Sequence, residues 1–138
     1  LTTNPGRPVT FLANGESEST FGGTLGRLSG TAAIRAGKHV ALTVDAGRNW
    51  VNLPNGAFRA DLLATRIGVA FTTRLFLNTL VQYNSLDRRV TSNMRFQYIF
   101  RPWSDLYLVF NEERGSIASL STPQARGTRL KVTYLRRL

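Results

Sequence analysis

A chain of 138 residues with a net charge of +10 and no cysteine is one domain, or a piece of one. The missing cysteines exclude disulfides, thiolate metal sites and a cysteine nucleophile, and the single His39 excludes a multi-histidine metal site. No run approaches the roughly 18 apolar residues that a transmembrane helix needs. That leaves β-barrels untouched, because alternating strands never look hydrophobic in a window average.

Leu1 is not an initiator Met, so the chain reads as processed or truncated. Residues 1–23 read as an irregular N-terminal segment. Asn4-Pro5-Gly6-Arg7-Pro8 forms turns, Val9-Thr10-Phe11-Leu12 suits a short edge strand, and Asn14-Gly15 is a turn signal. From Thr24 a period of two begins, the side-chain period of a strand with unlike faces. Gly26, Leu28, Gly30, Ala32 and Ile34 share one face, with Arg27 and Arg35 on the other. A tight turn at Ala36-Gly37-Lys38 leads to Val40, Leu42, Val44, Ala46 and Trp50 against Thr43, Asp45 and Asn49. His39 reads as a polar residue at that strand's start. Arg48 breaks the apolar side near the strand's end.

Residues 52–57, with Pro54 and Asn55-Gly56, predict a longer loop. The next strand sets Leu63, Thr65, Ile67, Val69 and Phe71 against Ala64, Arg66 and Gly68. Thr72-Thr73-Arg74 is a tight turn. Residues 75–111 then predict three strands: Leu75 to Tyr83, Ser92 to Arg101, and Leu106 to Phe110. The loop around Asp87-Arg88-Arg89 and the tight turn Pro102-Trp103-Ser104-Asp105 separate them. A polar loop runs from about Arg114 to Arg126. The last strand alternates Leu130, Val132, Tyr134 and Leu138 against Arg129, Lys131, Thr133 and Arg137, with Arg136 interrupting its apolar side.

The pattern therefore predicts an all-β fold: an antiparallel up-and-down meander of about 7–8 strands, closed as a β-barrel or forming part of a larger one, over residues 24–138. Seven strands are clear, with room for an eighth near the N-terminus. No helical periodicity appears. Tight turns alternate with longer loops, which puts them at opposite ends of the sheet. Outer-membrane barrels have that asymmetry, short periplasmic turns facing longer external loops. Trp50, Phe71, Tyr83, Trp103 and Tyr134 lie near strand ends, where interfacial aromatics occur. A soluble antiparallel barrel or sandwich has the same alternation with the opposite side out. Strand lengths of about 9–11 residues and the turn asymmetry favour the membrane reading.

The charge is nearly all arginine, sixteen against Lys38 and Lys131, and it is spread singly along the polar faces. That fits a charged barrel interior better than the clustered footprint of a nucleic-acid binder, so no nucleic-acid partner is expected. Arg27, Arg35, Arg66, Arg95, Arg101, Arg129 and Lys131, together with Asp45, Gln82, Asn84 and Gln97, would line such an interior. A basic lumen favours anions; the same groups bridging one another would plug a small barrel.

No catalytic constellation is present. A triad from His39, Asp45 and a serine has no supporting spacing. Glu112-Glu113 is adjacent on a strand, so its carboxylates point apart. Gly22-Gly23 and Gly26 make no phosphate loop, because no helix follows. No cofactor is expected.

Three motifs, Val81-Gln82-Tyr83-Asn84-Ser85, Phe100-Arg101-Pro102-Trp103-Ser104-Asp105-Leu106 and Leu108-Val109-Phe110-Asn111-Glu112, resemble a family of large bacterial envelope proteins of unknown function. The family joins an N-terminal carbohydrate-binding module, similar to family nine, to a C-terminal outer-membrane β-barrel. The resemblance covers about residues 24–138. It departs at Trp103, where the family has a turn glycine, and at Leu138, where outer-membrane barrels end on an aromatic. It implies a bacterial outer-membrane location, lipid as the surroundings, no established activity, and partner strands from other residues or other subunits. The alternative is a periplasmic, soluble basic β-barrel or β-sheet accessory subunit that binds an acidic ligand, a protein complex or an anionic membrane surface.

Overall fold

The computed structural model describes residues 8–20, 22–115 and 123–134. Expectations about Asn4 to Arg7, Arg136, Arg137 and Leu138 lie outside the described residues. The described chain forms one antiparallel sheet in the order β1-β2-β3-β4-β5-β6-β7-β8. The strands are β1 (Val9–Thr20), β2 (Gly23–Ala36), β3 (Val40–Leu53), β4 (Gly56–Thr72), β5 (Leu75–Asn84), β6 (Arg89–Arg101), β7 (Ser104–Arg114) and β8 (Pro123–Thr133). Each strand pairs with its sequence neighbour, so the fold is the meander that the alternation predicts. The sheet is open: β1 and β8 are its edges.

The edge strand expected over Val9 to Leu12 is longer than its sequence suggests. Asn14-Gly15 makes no turn there; the two residues pair with Ser29 and Leu28 inside the ladder. The extension brings Glu16 opposite Arg27 and Ser17 opposite Gly26, so β2 supplies a matched template that outweighs the local turn preference. The loop expected over residues 52–57 is likewise only a two-residue turn, Pro54-Asn55, because β3 and β4 pair up to Leu53 and Gly56. The last loop is shorter too, since β8 begins at Pro123.

One end of the sheet carries the β2–β3, β4–β5 and β6–β7 connections; the other is where β1 and β2, β3 and β4, β5 and β6, and β7 and β8 are joined. The longest connections do share one end, although two short turns join them there. Two tight turns show why they hold. His39 Nδ1 donates to the Ala70 carbonyl at 2.9 Å, fastening the β2–β3 turn to β4. Trp103 has φ of 62°, which with Pro102 before it is the pattern of a type II turn, a place that suits glycine.

The loop between β5 and β6 is held by Asn84 and Ser85. The Asn84 Oδ1 accepts from the Leu86 N–H at 3.0 Å, and Ser85 Oγ accepts from the Asp61 N–H at 2.7 Å. The first is an Asx turn and the second continues the ladder onto β4.

Among the described residues no second layer covers this sheet. Among the described residues the buried apolar side chain is Ala64, 4% exposed, and the buried polar one is Ser104, 1% exposed. Large side chains such as Phe11, Leu28, Ile34, Ile67, Met94, Leu108 and Leu130 are exposed. A sheet of this size in water buries one face against another element; here the described chain does not provide one.

Candidate functional site

The functional candidate is the contrast between the two faces. The register assigns every side chain to a face, since directly paired residues share one. One ladder row runs Val9, Ile34, Leu42, Ile67, Thr79, Met94, Phe110 and Thr128 across all eight strands. A neighbouring row on the same side runs Phe11, Ala32, Val44, Thr65, Val81, Ser92, Glu112 and Arg126. These two rows carry no charge from β1 to β6; their first charges are Glu112 and Arg126.

The limits of the apolar band do not follow the ladder rows. On β3 the first charge above the band is Arg48, six residues past Leu42; on β7 it is Glu112, two past Phe110. The upper limit thus falls four residues across four strands. The lower limit falls in the same direction but less: it lies two residues below the row at Val40 on β3 and four below at Leu75, Tyr98 and Leu106 on β5 to β7. At the upper limit, one residue per strand, about 3.3 Å against a strand spacing of about 4.8 Å, is an inclination of roughly 35°. Along the strands the band spans eight residues on β3 (Val40 to Arg48), ten on β4 (Phe71 to Asp61) and six on β7 (Leu106 to Glu112). Those lengths correspond to roughly 16–27 Å measured perpendicular to the inclined limits.

The upper limit is drawn by two clusters of the same make-up. Asp61 Oδ1 accepts from Arg48 Nε at 2.6 Å, its Oδ2 accepts from Arg48 Nη2 at 3.2 Å, and Arg59 Nε lies 3.5 Å from that Oδ2. Glu112 Oε1 accepts from Arg126 Nε at 2.6 Å and from Arg114 Nη2 at 3.1 Å. Each pairs two guanidiniums with one carboxylate. Arg48, which interrupts the alternation in sequence, is thus matched by Asp61 directly opposite it. Only the β3–β4 register reveals that pairing; Asp61 carries no signal of its own.

The other face is polar and internally bonded. Arg27 Nε donates to Asn49 Oδ1 at 3.0 Å, and Asp45 takes both the Thr31 hydroxyl, at 2.8 Å, and Arg66. Asn93 donates to Asn111, and Gln97 Nε2 donates to Tyr107 Oη at 2.6 Å and to Asp105 at 3.2 Å. Arg89 pairs with Glu113 at 3.0 Å. Of the basic residues expected to share a face, Arg27, Arg35, Arg66, Arg95, Arg129 and Lys131 do so, as do Asp45, Gln82, Asn84 and Gln97. Arg101 differs. A bulge between Ile99 and Arg101 shifts the register and sets Arg101 opposite Ser104, off the alternation of Arg95 and Gln97.

The face is also less basic than the arginine count suggests, because Glu16, Glu18, Asp45, Asp105 and Glu113 lie on it too. Glu112 and Glu113 do point to opposite faces.

The five aromatics fall at the two ends. Trp50 and Tyr83 stand at the upper end of the apolar face; Phe71, beside the bulge at Ala70/Thr72, and Trp103 and Tyr134 stand at the lower end. Trp50 covers Gly26, its cross-strand partner, where an added Cβ would come 2.1 Å from the indole. Among the described residues no three metal-ligating side chains gather, and no helix is long and apolar enough to cross a membrane.

No family model, curated protein or solved structure matches the chain.

Proposed function

We propose that this chain is a membrane-crossing section of a bacterial outer-membrane β-barrel, its apolar face toward lipid and its polar face toward the lumen. The observation that carries the reading is the inclined band. Strands in membrane barrels tilt by about 35–45° and present an apolar belt about 25 Å tall. The band's upper limit inclines by roughly 35°, and the band reaches 22–27 Å on β3 and β4 and about 16 Å on β7, the range expected where strands cross a bilayer at that tilt. A layer packed against a second sheet has no reason to drop in the same direction at both limits.

The open edges fit a section of a wider barrel, since unpaired strand edges are not tolerated in hydrocarbon. Partner strands come from other residues or other subunits. The polar face suits a structural wall or an anion-permeable lining; its internal pairs give it a fixed surface. No catalytic role is assigned.

The test is extraction. The chain should stay with outer membranes through alkaline carbonate and urea washes and require detergent for a monodisperse state. A folded, monodisperse chain in plain buffer would instead support the soluble accessory subunit.

A further inference from the structure

Just below the Arg48–Asp61 pair, the apolar face has a hollow. Its floor is one ladder row of small residues, Ala13, Gly30 and Ala46, and the same row continues into Leu63 and Tyr83, which wall it. Arg48 and Asp61 close its upper side. The hollow lies inside the apolar band and its mouth carries the charges. Asp61 is shared by two arginines, so the cluster holds one uncompensated positive charge. A guanidinium has five N–H donors, and one carboxylate satisfies only a few of the ten present. Both arginine side chains are more than half exposed, so those donors are accessible. Arginine pairs present planar donor forks that match phosphate oxygens.

We propose that this place binds an anionic lipid, with its headgroup phosphate on Arg48 and Arg59 and one acyl chain over the Ala13–Gly30–Ala46 floor. The charge complements a phosphate monoester or diester, and the apolar hollow sits where a chain leaving that headgroup would enter. The site therefore takes a lipid rather than a free phosphate. The proposal rests on the reading that the apolar face meets lipid.

Trp50 stands directly opposite Arg59 and reports on the site; Trp103, at the other end of the sheet, is the control. Two single-Trp forms, Trp103→Phe and Trp50→Phe, would be reconstituted in phosphatidylcholine vesicles. The vesicles would contain a small fraction of either brominated phosphatidic acid or brominated phosphatidylcholine.

The expected result is that brominated phosphatidic acid quenches Trp50 about fivefold more than its mole fraction predicts, the preference of one net positive charge for anionic lipid. Brominated phosphatidylcholine should quench in proportion. Arg48→Gln with Arg59→Gln should abolish the preference, and Asp61→Asn should raise it. Trp103 should show none.

Equal quenching of Trp50 by the two lipids overturns the site while leaving the lipid-facing reading intact. A preference that survives the double substitution also overturns it. No quenching of either tryptophan by either lipid removes the lipid-facing reading, and the site with it.

Discussion

Met94 sits midway on β6 between the band's limits at Tyr98 and Val90, and lies between Thr79 and Phe110 in one ladder row. Val90 lies four residues away on the same strand and the same face, at the band's upper limit opposite Tyr83. Replacing each with arginine puts the same charge on the same face at two depths. In hydrocarbon the cost depends on depth: about 2–4 kcal/mol at the midplane, falling to about 0–1 kcal/mol at the interface. Met94→Arg should therefore lower the folding equilibrium by roughly thirty- to several-hundred-fold, and Val90→Arg by about fivefold or less. Thr91→Arg is the control for the polar face, where Glu113 stands directly opposite and an arginine should be accommodated.

The assay is reversible denaturant unfolding in lipid vesicles, followed by tryptophan emission. Equal losses for Met94→Arg and Val90→Arg would refute the depth argument. A larger loss for Thr91→Arg than for Met94→Arg would reverse the assignment of faces.

Gly26→Ala should displace the Trp50 indole, because the new Cβ would meet the ring at 2.1 Å. A destabilisation of about 1–3 kcal/mol with a shifted Trp50 emission is expected, and an unshifted spectrum would contradict it. Trp103→Gly relieves a left-handed backbone at φ 62° and should add about 1 kcal/mol in a denaturant titration. A loss of stability would mean that the indole's own contacts outweigh that strain. Ser85→Ala removes the acceptor for the Asp61 N–H and should cost about 1 kcal/mol. Faster amide exchange confined to Asp61 and residues 84–88 is its signature, and unchanged protection there would count against the pinning role.

The alternation of single strands was legible residue by residue, because period two needs only neighbours. It placed β2, β3, β4 and β6 on their faces, and with them Arg27, Arg35, Arg66 and Arg95. What needed the register was less visible. Asn14-Gly15 reads as a turn until β2 is known to lie beside it. Arg48 reads as a break until Asp61 is set opposite. Arg101 reads as a lumen residue until the bulge after Ile99 removes it from the alternation. The inclination of the band appears in no single segment, since it is a relation among the offsets of several strands. Trp103 is the reverse case. The resemblance places a glycine there, and the left-handed backbone explains what a glycine would do at that turn.

On the proposed reading, one face of this sheet meets lipid and the other does not. The cysteine-free chain allows a direct measurement: single cysteines at positions 93 to 98 of β6, each carrying a fluorophore, in vesicles containing a lipid-borne quencher. Strong quenching is expected at Met94, Phe96 and Tyr98 and weak quenching at Asn93, Arg95 and Gln97, which should answer to an aqueous quencher instead. Quenching without that alternation, or with its phase reversed, would contradict that reading.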